Sequence, residues 1–527
     1  MTRIFEELCR RRKIGEEFLR PKYEDLVDSF LLSDMKEAVE RMKLAGERGE
    51  KVVVYGDYDV DGVCASVVMR QALLWAGVEE VEILLPDRFT EGYGMNMGVV
   101  EEIEKLGAGL VVTVDCGSRD EEVVRALIDK GIDVIITDHH ELPEELPKCL
   151  LVNPKRGEVG RDLSGSGVAF MVARAVCSDG QEKWLLDLVA IGTLCDSMPM
   201  SQENRILTYY GMQVLAKTRR VGLKELMKVA GVKKLNSHVV GFQIGPRLNA
   251  GGRMESAYKA LKLLLAESKM EAMGLANELD GLNRERRKAQ EEAVAEVEKM
   301  GSEDAVVVVK GKWHEGVIGI IAGRLCERWG RPVFVFTEGE GGVLKGSGRS
   351  FGEFNLAQAL NECQDCLLRG GGHDYACGCM IASERFEELR ERLNKYYDSL
   401  GLKNQERFLQ RVEDVVVDDL GELSIELMEE LAQLEPFGEG NREPVFKLAD
   451  ILVVESVKMG KKSEHLRLGV RDGKGNIMKC VGFWAQEDWC SEEGAKVDVW
   501  VSLSKNEWNG NKSVEGIILG VERVGEI

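Results

Sequence analysis

The stretch VVVYGDYDVDG at residues 52–62 is the strongest indication of the fold, because a run of four apolar, strand-forming residues is followed, after one glycine, by three closely spaced aspartates. Three more β-rich runs follow it: VEILL at 81–85, LVVTV at 110–114 and DVIIT at 133–137. Helical patterns such as VCASVVMRQALLWAG and EEVVRALIDKG lie between these runs. This alternation predicts a parallel sheet with crossover helices, and hence an α/β protein.

Acidic and histidine side chains follow three of the four predicted strands. They are Asp57, Asp59 and Asp61 after the first, Asp115 after the third, and Asp138, His139 and His140 after the fourth. Ligands of open parallel sheets gather at the carboxyl ends of the strands, so we expect these side chains to converge on one crevice. Taken singly, each aspartate is also compatible with a turn or with the N-cap of a helix.

A fourth motif, LVAIGTLCDSMPM, places Asp196 at the end of an apolar helical stretch. Carboxylates that are forced together repel one another and take up protons, and divalent cations remove that cost. Oxygen ligands with one imidazole suit Mn²⁺ or Mg²⁺, and the histidine favours Mn²⁺. Two such ions, about 3.5–4 Å apart, can activate water against phosphorus. We therefore predict a metal-dependent phosphoesterase.

Composition sets limits on this interpretation. The net charge of −21 excludes a protein coated with nucleic-acid-binding charge, so a polyanionic substrate must be held by local cations and bound metal. The sequence has no run of eighteen apolar residues, and its charged N-terminus lacks the core of a signal peptide, which predicts a cytoplasmic protein without a membrane span. Thirteen cysteines are scattered; one group has zinc-like spacing but is also compatible with a packed Gly-rich strand and loop: Cys363, Cys366, Cys377 and Cys379.

Changes in residue composition and periodicity divide the chain into five predicted segments. They are an N-terminal helical segment (1–45), a parallel-sheet domain (46–210), a helical connector (211–300), a second α/β domain (301–405) and a small β-barrel (406–527). The connector includes a long charged amphipathic segment that ends near residue 300.

These motifs resemble those of a known superfamily. DYDVDG, DCG, DHH and the segment around Asp196 resemble the four signatures of the DHH phosphoesterases, and GKWHEGVIGIIAGRL, SGRS and GGHDYACG resemble the DHH-associated domain. PDRFTEGYG, RLNAGGRM and LEPFGEGNREPVF resemble more specifically the RecJ family of exonucleases. The resemblance extends from about residue 50 to 527, and it implies that the final barrel is an OB-like domain that binds nucleic acid.

The resemblance implies a 5′-to-3′ exonuclease that degrades single-stranded DNA to 5′ mononucleotides in DNA repair and recombination. It implies two divalent ions, Mn²⁺ or Mg²⁺, on five ligands: Asp57, Asp59, Asp115, His139 and Asp196. His140 and Asp138 match the rest of the catalytic signature, as orienting groups. Tyr55 stands where some relatives have a histidine, so the first ion is expected to be held more weakly.

Another set of residues matches the family's contacts with substrate. By resemblance, Arg88 lies near the 5′ phosphate, Ser347 and Arg349 contact phosphate, and His373 faces the same cleft. Arg253 and His314 are further candidates in the same region. From the residues alone, SGR also fits a β-turn, GGGH a tight loop and His314 a helix cap.

The barrel has aromatic and basic residues that are suited to a single strand. The tryptophans are Trp484, Trp489, Trp500 and Trp508, and the cations are Lys458, Lys461, Lys462, Arg467 and Lys479. Aromatic residues of a small barrel are also its usual core. Family resemblance suggests a single-strand-binding protein and a repair helicase as partners, and a cleft within one chain suggests a monomer.

Three other functions remain open at this stage. A phosphodiesterase of short oligonucleotides or cyclic dinucleotides shares the first motifs, but such enzymes generally lack the barrel and the RLNAGGRM segment. A non-catalytic replication scaffold would have degenerate metal ligands. A small-molecule pyrophosphatase would leave the C-terminal half without a purpose.

Overall fold

The computed structural model describes residues 1–157, 162–177, 179–402, 412–460, 463–483, 485, 489–508 and 511–524. Within these residues the chain forms three sheets, joined by helices, so the predicted α/β architecture is confirmed. Among the described helices, none combines the length and the apolar character needed to cross a membrane.

Three helices precede the first strand: α1 (Arg3–Arg12), α2 (Glu16–Leu19) and α3 (Met35–Arg48). They belong to two different cores. Ile4, Phe5 and Leu8 of α1 pack into the core of the C-terminal barrel. Met35 and Met42 of α3 pack instead beneath the first sheet. This segment therefore joins the two ends of the chain.

The first sheet is parallel, in the order β2-β1-β3-β4-β5. The four predicted strands are present to within one residue at each end, and a short fifth strand adds to the edge. The strands are β1 (Val52–Gly56), β2 (Val81–Leu84), β3 (Leu110–Val114), β4 (Asp133–Thr137) and β5 (Leu150–Val152). The helices are α4 (Val60–Trp75), α5 (Met97–Leu106), α6 (Glu121–Asp129), α7 (Gly165–Val176) and α8 (Leu186–Cys195).

Strand register brings the ends of β1, β3 and β4 to one edge. Gly56 pairs with Val114, and Val114 pairs with Thr137. The next residue of each strand therefore emerges at the same level. The apolar strands are buried on both faces by helices, as expected of a parallel sheet.

A helical connector follows. Its helices are α9 (Gln202–Leu215), α10 (Val221–Val229), α11 (Ser237–Val239), α12 (Gly245–Met254), α13 (Tyr258–Leu265) and α14 (Lys269–Met300), with a π-helix at Val240–Ile244. At about 1.5 Å per residue, α14 is about 48 Å long. It contacts α10, α12 and α13, and it also reaches the first helix of the next unit.

The second sheet is mixed, in the order β6-β7-β8-β10-β9. Its elements are β6 (Val307–Gly311), α15 (Glu315–Trp329), β7 (Val333–Glu338), β8 (Val343–Arg349), α16 (Leu356–Asn361), β9 (Leu367–Gly372), β10 (Ala376–Ala382) and α17 (Phe386–Ser399). Ser347 and Arg349 lie within β8, so SGR is a strand and not the β-turn that the sequence alone also allowed.

The four cysteines with zinc-like spacing pack in the core under this sheet. Burial is the main cause that raises the pKa of each of these thiols. Among the described residues, no group of converging ligand atoms contains more than one of these cysteines, and their packing fits the alternative of a Gly-rich strand and loop.

The C-terminal barrel is built from β11 (Val415–Val417), α18 (Ile425–Leu431), β12 (Phe446–Met459), β13 (His465–Arg471), β14 (Ile477–Gly482), β15 (Lys496–Trp508) and β16 (Asn511–Arg523). Pairing of β12 with β15 closes a five-stranded barrel, and β11 adds to its edge. This confirms the predicted OB-like fold.

Two of the four barrel tryptophans, Trp489 and Trp500, are buried, so they fill space and do not offer base-stacking surfaces. Trp484, Lys461 and Lys462 lie outside the described residues, as does the side chain of Trp508. Ion pairs engage two of the predicted cations: Arg467 Nη2 lies 2.7 Å from Glu455, and Lys479 Nζ lies 3.1 Å from Glu515. Lys458 is exposed.

Candidate active site

The three aspartates that follow β1 differ in their surroundings and hydrogen bonds. Asp57 is buried directly after the strand. Asp59 is the N-cap of α4, and its Oδ1 accepts hydrogen bonds from the amides of Asp61 (2.8 Å) and Gly62 (3.1 Å). Asp61 is buried and accepts the amides that begin α7, at 2.6 Å from Gly165 N and 3.0 Å from Ser166 N. The helix-cap role and a ligand role are therefore compatible at Asp59.

Asp115 follows β3 in a left-handed conformation, with φ of 62°. Its amide donates to Thr137 O at 3.0 Å, which holds the turn against β4. A Cβ atom on Gly165 would lie only 2.5 Å from Asp115, so a glycine is needed where α7 begins. Left-handed backbone at a non-glycine residue costs about 1–3 kcal/mol and is typical of functional sites.

Asp138 organises the histidines after β4. Its Oδ1 accepts the His139 amide at 2.7 Å and lies 2.8 Å from His140 Nδ1, while Oδ2 accepts the Ser118 amide at 3.1 Å. Burial alone would raise the pKa of Asp138, but the bonds from His140 and Ser118 outweigh it and lower this pKa. Asp138 is therefore an ionised orienting group.

His139 brings the motifs together. Its Nε2 lies 3.0 Å from Asp115 Oδ1 and 3.6 Å from Asp196 Oδ2 at the end of α8. Burial first, and then the charge of His140, lowers the pKa of His139 to about 3, so the imidazole is neutral and able to offer a lone pair. Candidate ligand atoms lie within 4.8 Å of one another in sets that include Asp57, Asp59 and Asp115, and also Asp61, His139 and Asp196.

The carboxylates are electrostatically costly without a cation. Burial first, and then neighbouring aspartates, raises the pKa of Asp57 and Asp115 well above the usual range and that of Asp196 to about 9. The same causes raise the pKa of Asp61 to about 6.

The donor set fits divalent metal ions. Among the described residues, Asp57 Oδ1, Asp115 Oδ1 and His139 Nε2 are buried atoms that make no hydrogen bond; the last two lie 3.0 Å apart, but without hydrogen-bond geometry. Buried polar atoms are rarely left without a partner, and a cation would satisfy all three. Oxygen donors with one imidazole are those that Mn²⁺ and Mg²⁺ accept.

A group of arginines stands beside the carboxylates. Burial first, and then the charges of Arg88 and Arg286, lowers the pKa of Arg253 to about 10. Burial, with a contribution from Arg88, also lowers the pKa of Arg349. Arg349 Nη1 donates to Ser347 Oγ at 3.1 Å. Cations that repel one another in a partly buried place form a site for an anion.

Contacts between the two α/β units show that these arginines lie in the cleft between them. Lys345 Nζ donates to Phe89 O at 3.3 Å and lies 2.8 Å from Glu315 Oε2. Arg88 packs over the ring of Tyr58, at 4.8 Å from its centroid. The arginines thus belong to a cleft with the first unit on one side and the second unit on the other.

The two remaining predicted histidines have different surroundings. His314 caps α15, with Nδ1 accepting the Gly316 amide at 3.1 Å, and its ring packs edge-on against Phe89. His373 is exposed after β9, and it lines a cavity of about 240 Å³ with Tyr93, Arg119 and His140. The cap interpretation therefore holds for His314, while His373 faces the metal motifs from the second unit.

Sequence reasoning missed several residues of this site. Asp61 stood within the quoted motif but not in the ligand set. Tyr93 lay in the quoted PDRFTEGYG segment; its hydroxyl is 2.9 Å from His140 Nδ1 and donates to Asp115 O at 3.2 Å. Lys155 and Arg286 exert charge effects on His139 and Arg253, respectively, and nothing in their local sequence distinguishes them.

Three known domain families match successive parts of the chain. Residues 51–193 match the N-terminal domain of the DHH family, and residues 303–399 match the DHHA1 domain. Residues 415–519 match the RecJ OB domain. The chain is thus built as a DHH protein with an associated domain and a barrel; below, residues 51–193 are called the DHH domain and 303–399 the DHHA1 domain.

Whole-chain comparisons specify the family. The single-stranded-DNA-specific exonuclease RecJ of Escherichia coli is 32% identical over 531 residues, which cover 92% of this chain and 90% of that protein. RecJ of Bacillus subtilis is 38% identical over 95% of this chain, which spans 65% of that relative's length. The chain belongs to the RecJ family.

Solved structures agree with this assignment. RecJ from Thermus thermophilus in complex with Mn²⁺ superposes with a TM-score of 0.86 at 29% identity, over 100% of this chain and 77% of the other. The same protein in complex with Mg²⁺ gives a TM-score of 0.80 at 28% identity, over 100% of this chain and 75% of the other.

Proposed function

We propose that the chain is a metal-dependent 5′-to-3′ exonuclease that degrades single-stranded DNA to 5′ mononucleotides, with a role in repair and recombination. The main observation behind the proposal is that a set of candidate metal ligands and a set of arginines face each other across one cleft. On one side are buried oxygen and nitrogen atoms of Asp57, Asp115 and His139 that make no hydrogen bond and could bind a metal ion. On the other side are Arg253 and Arg349, whose pKa values are lowered. The names and metal complexes of the relatives support the same activity.

The first group would hold two divalent ions through Asp57, Asp59, Asp115, His139 and Asp196. When bound, such ions supply Lewis acidity and a water of lowered pKa. Asp138 holds His139 and His140 in place through hydrogen bonds from their backbone amides. Asp61 holds the start of α7 next to Asp115, and so keeps the crevice narrow.

The second group would bind the 5′ phosphate of the strand. Arg349 with Ser347 can grip phosphate oxygens from one face of β8, and Arg88 and Arg253 add charge from the other side. His373, which lines a cavity together with His140, would contact the scissile phosphate. Breaking the bond between phosphorus and the 3′ oxygen of the first nucleotide leaves a phosphate on the next one. That new 5′ phosphate can dock on the same arginines.

A second cavity, of about 600 Å³, continues from Arg253 toward the barrel. It is lined by His238 and Phe242, whose rings stack with centroids 4.5 Å apart, and Phe242 is 70% exposed. An exposed aromatic face beside cations is typical of single-strand recognition. This cavity supports a long single strand over a dinucleotide as the substrate.

The test uses a 5′-phosphorylated single strand of forty nucleotides, labelled at either end, with Mn²⁺ or with a chelator. We expect Mn²⁺-dependent release of mononucleotides from the 5′ end, and loss of at least about 100-fold in rate for Asp115→Asn. Asp129→Asn, an exposed change on α6, is the matched control. Cleavage confined to dinucleotides, or strand binding without hydrolysis, would contradict the proposal.

A further inference from the structure

The loop between β2 and α5, residues 86–94, carries two groups of the catalytic cleft. Arg88 is one of the arginines proposed to bind the 5′ phosphate, and the hydroxyl of Tyr93 lies 2.9 Å from His140 Nδ1 beside the metal motifs. Phe89, next to Arg88 in the chain, contacts the DHHA1 domain. The position of this loop therefore depends on both domains.

Two contacts from the DHHA1 domain hold Phe89. From β8, Lys345 Nζ donates a hydrogen bond to the Phe89 carbonyl at 3.3 Å. The ring of His314, at the N-cap of α15, packs edge-on against the Phe89 ring, with the centroids 5.5 Å apart. One contact fixes the backbone and the other fixes the side chain, so the residue that follows Arg88 is held at two points.

Lys345 is itself held by the helix beside it. Its Nζ lies 2.9 Å from Oε1 and 2.8 Å from Oε2 of Glu315, the first residue of α15. An ammonium group has three N–H donors, and the two carboxylate oxygens with the Phe89 carbonyl offer three acceptors. The charge of Lys345 is therefore directed at protein atoms, which favours a structural task over direct contact with a phosphate.

The part of the loop around Phe89 is a tight turn. Asp87 Oδ1 accepts hydrogen bonds from the amides of Phe89 and Thr90, both at 2.9 Å. The guanidinium of Arg88 lies over the ring of Tyr58, at 4.8 Å from its centroid. Because the turn is tied together by these bonds, a displacement of Phe89 is passed on to Arg88.

We propose that Lys345 is a positioning residue: its bond to the Phe89 carbonyl holds Arg88 at the 5′-phosphate site. The inference rests on the proposed function, because it concerns the same phosphate. Lys345, Ser347 and Arg349 are alternate residues of β8, so their side chains share one face of the sheet. One strand thus supplies Arg349 to the phosphate and also sets the position of Arg88 on the opposite domain.

The first measurement is hydrogen–deuterium exchange of residues 86–94 in the full chain without DNA, which does not depend on cleavage. Lys345→Met should raise the exchange rate of this segment at least about threefold, because the loop loses its tether. Lys345→Arg can still donate to the carbonyl and should restore most of the protection. Lys130→Met removes the same charge, from a side chain that lies 2.5 Å from Glu104 Oε2, and should exchange as the unmodified chain does.

The second measurement separates positioning from direct contact with DNA. On a 5′-phosphorylated strand, Lys345→Met and Glu315→Gln should each raise KM about 3- to 10-fold, because each loosens the hold on Phe89. Arg88→Ala should then cost less in the Lys345→Met background than in the unmodified chain. A lower KM for Glu315→Gln would show that Lys345, once released, binds the phosphate itself, and would overturn the proposal.

The two measurements also distinguish this inference from the proposed function. Unchanged exchange in Lys345→Met would refute the tether, whatever the chain cleaves. A strand that is cut equally well with and without its 5′ phosphate would instead refute the phosphate site, and with it the role given to Arg88.

Discussion

At the scale of a single residue, the buried carboxyl of Asp196 lowers the stability of the metal-free protein at neutral pH, although the same carboxyl is a candidate metal ligand. Burial and the charges of Asp61 and Asp59 raise its pKa to about 9. A raised carboxyl pKa means that the folded protein binds the proton more tightly than the unfolded chain. The stabilising contribution is then present below the ordinary pKa of 3.8 and is lost as the pH rises toward 9.

We therefore expect the metal-free chain to lose thermal stability between pH 5 and about 9, and Mn²⁺ to restore it. At pH 8 the Asp196 carboxyl is ionised in the unfolded chain and must take up a proton on folding, whereas Asp196→Asn is neutral in both states; the metal-free variant should therefore melt higher than the unmodified chain at pH 8. Its melting temperature should also rise less with Mn²⁺. Differential scanning fluorimetry over this range measures both effects, with Asp129→Asn as control. A lower melting temperature for metal-free Asp196→Asn would contradict the charge argument.

Arg349 is expected to act on the 5′ phosphate alone. Its guanidinium is held beside Ser347 Oγ at 3.1 Å, and its pKa is lowered by burial and by Arg88. A hydrogen bond to a charged group contributes about 1.5–3 kcal/mol, so Arg349→Ala should lower kcat/KM about 10- to 150-fold on a 5′-phosphorylated strand. The same variant should lose little on a 5′-hydroxyl strand. Equal losses on both substrates would place Arg349 elsewhere in the mechanism.

At the scale of elements, helix α15 approaches β8 through a glycine. A Cβ atom on Gly319 would lie 3.1 Å from Ser347 Oγ and 3.2 Å from Arg349 Nη2. One turn later, a Cβ on Gly323 would lie 3.9 Å from Arg349 Cγ, which is ordinary contact. Alanine substitutions at Gly319 and Gly323 therefore distinguish an effect on the helix from an effect on the phosphate site beside it.

Gly323→Ala should stabilise the protein by up to about 1 kcal/mol through its higher helix propensity. At Gly319 the tight contacts with Ser347 and Arg349 should offset that gain. Only Gly319→Ala should raise KM for a 5′-phosphorylated strand, because it displaces Ser347 and Arg349. Urea unfolding and steady-state kinetics measure the two effects on the same samples. If KM rose equally in both variants, the close approach at Gly319 would not be the cause.

Across the whole molecule, Arg205 joins the DHH domain and connector to the segments around the barrel. From α9 its guanidinium donates to the carbonyls of Phe18, Gln433, Leu434 and Glu435 at 2.6–3.3 Å. The side chain is only 2% exposed, and it lies over the ring of Phe18. Burial lowers the pKa of Arg205 to about 10, so the cation persists at neutral pH and is stabilised by carbonyl dipoles.

Arg205→Met should leave those carbonyls without a donor and cost about 2–4 kcal/mol of unfolding free energy. In guanidinium chloride, we expect the variant to begin unfolding at a lower denaturant concentration and the barrel to show a separate transition. Arg284→Met, on the exposed face of α14, is the control and should unfold as the unmodified chain does. A single unchanged transition in Arg205→Met would show that other contacts hold the barrel in place.

The first sheet, the polar residues that follow its strands and the C-terminal barrel were predictable from the residue pattern alone. Strand periodicity is local, and parallel register places the residues that follow β1, β3 and β4 at one edge. The presence of aspartates and histidines there was therefore readable, as was their suitability for metal.

Contacts between residues far apart in the chain became visible in the folded structure. Arg205 binds carbonyls more than two hundred residues away, α1 completes the barrel core, and His373 faces His140 across the cleft. The sequence also left open whether His314 was a helix cap and whether Trp489 was core. These outcomes depend on non-local packing and burial, which leave no signal in the spacing of neighbouring residues.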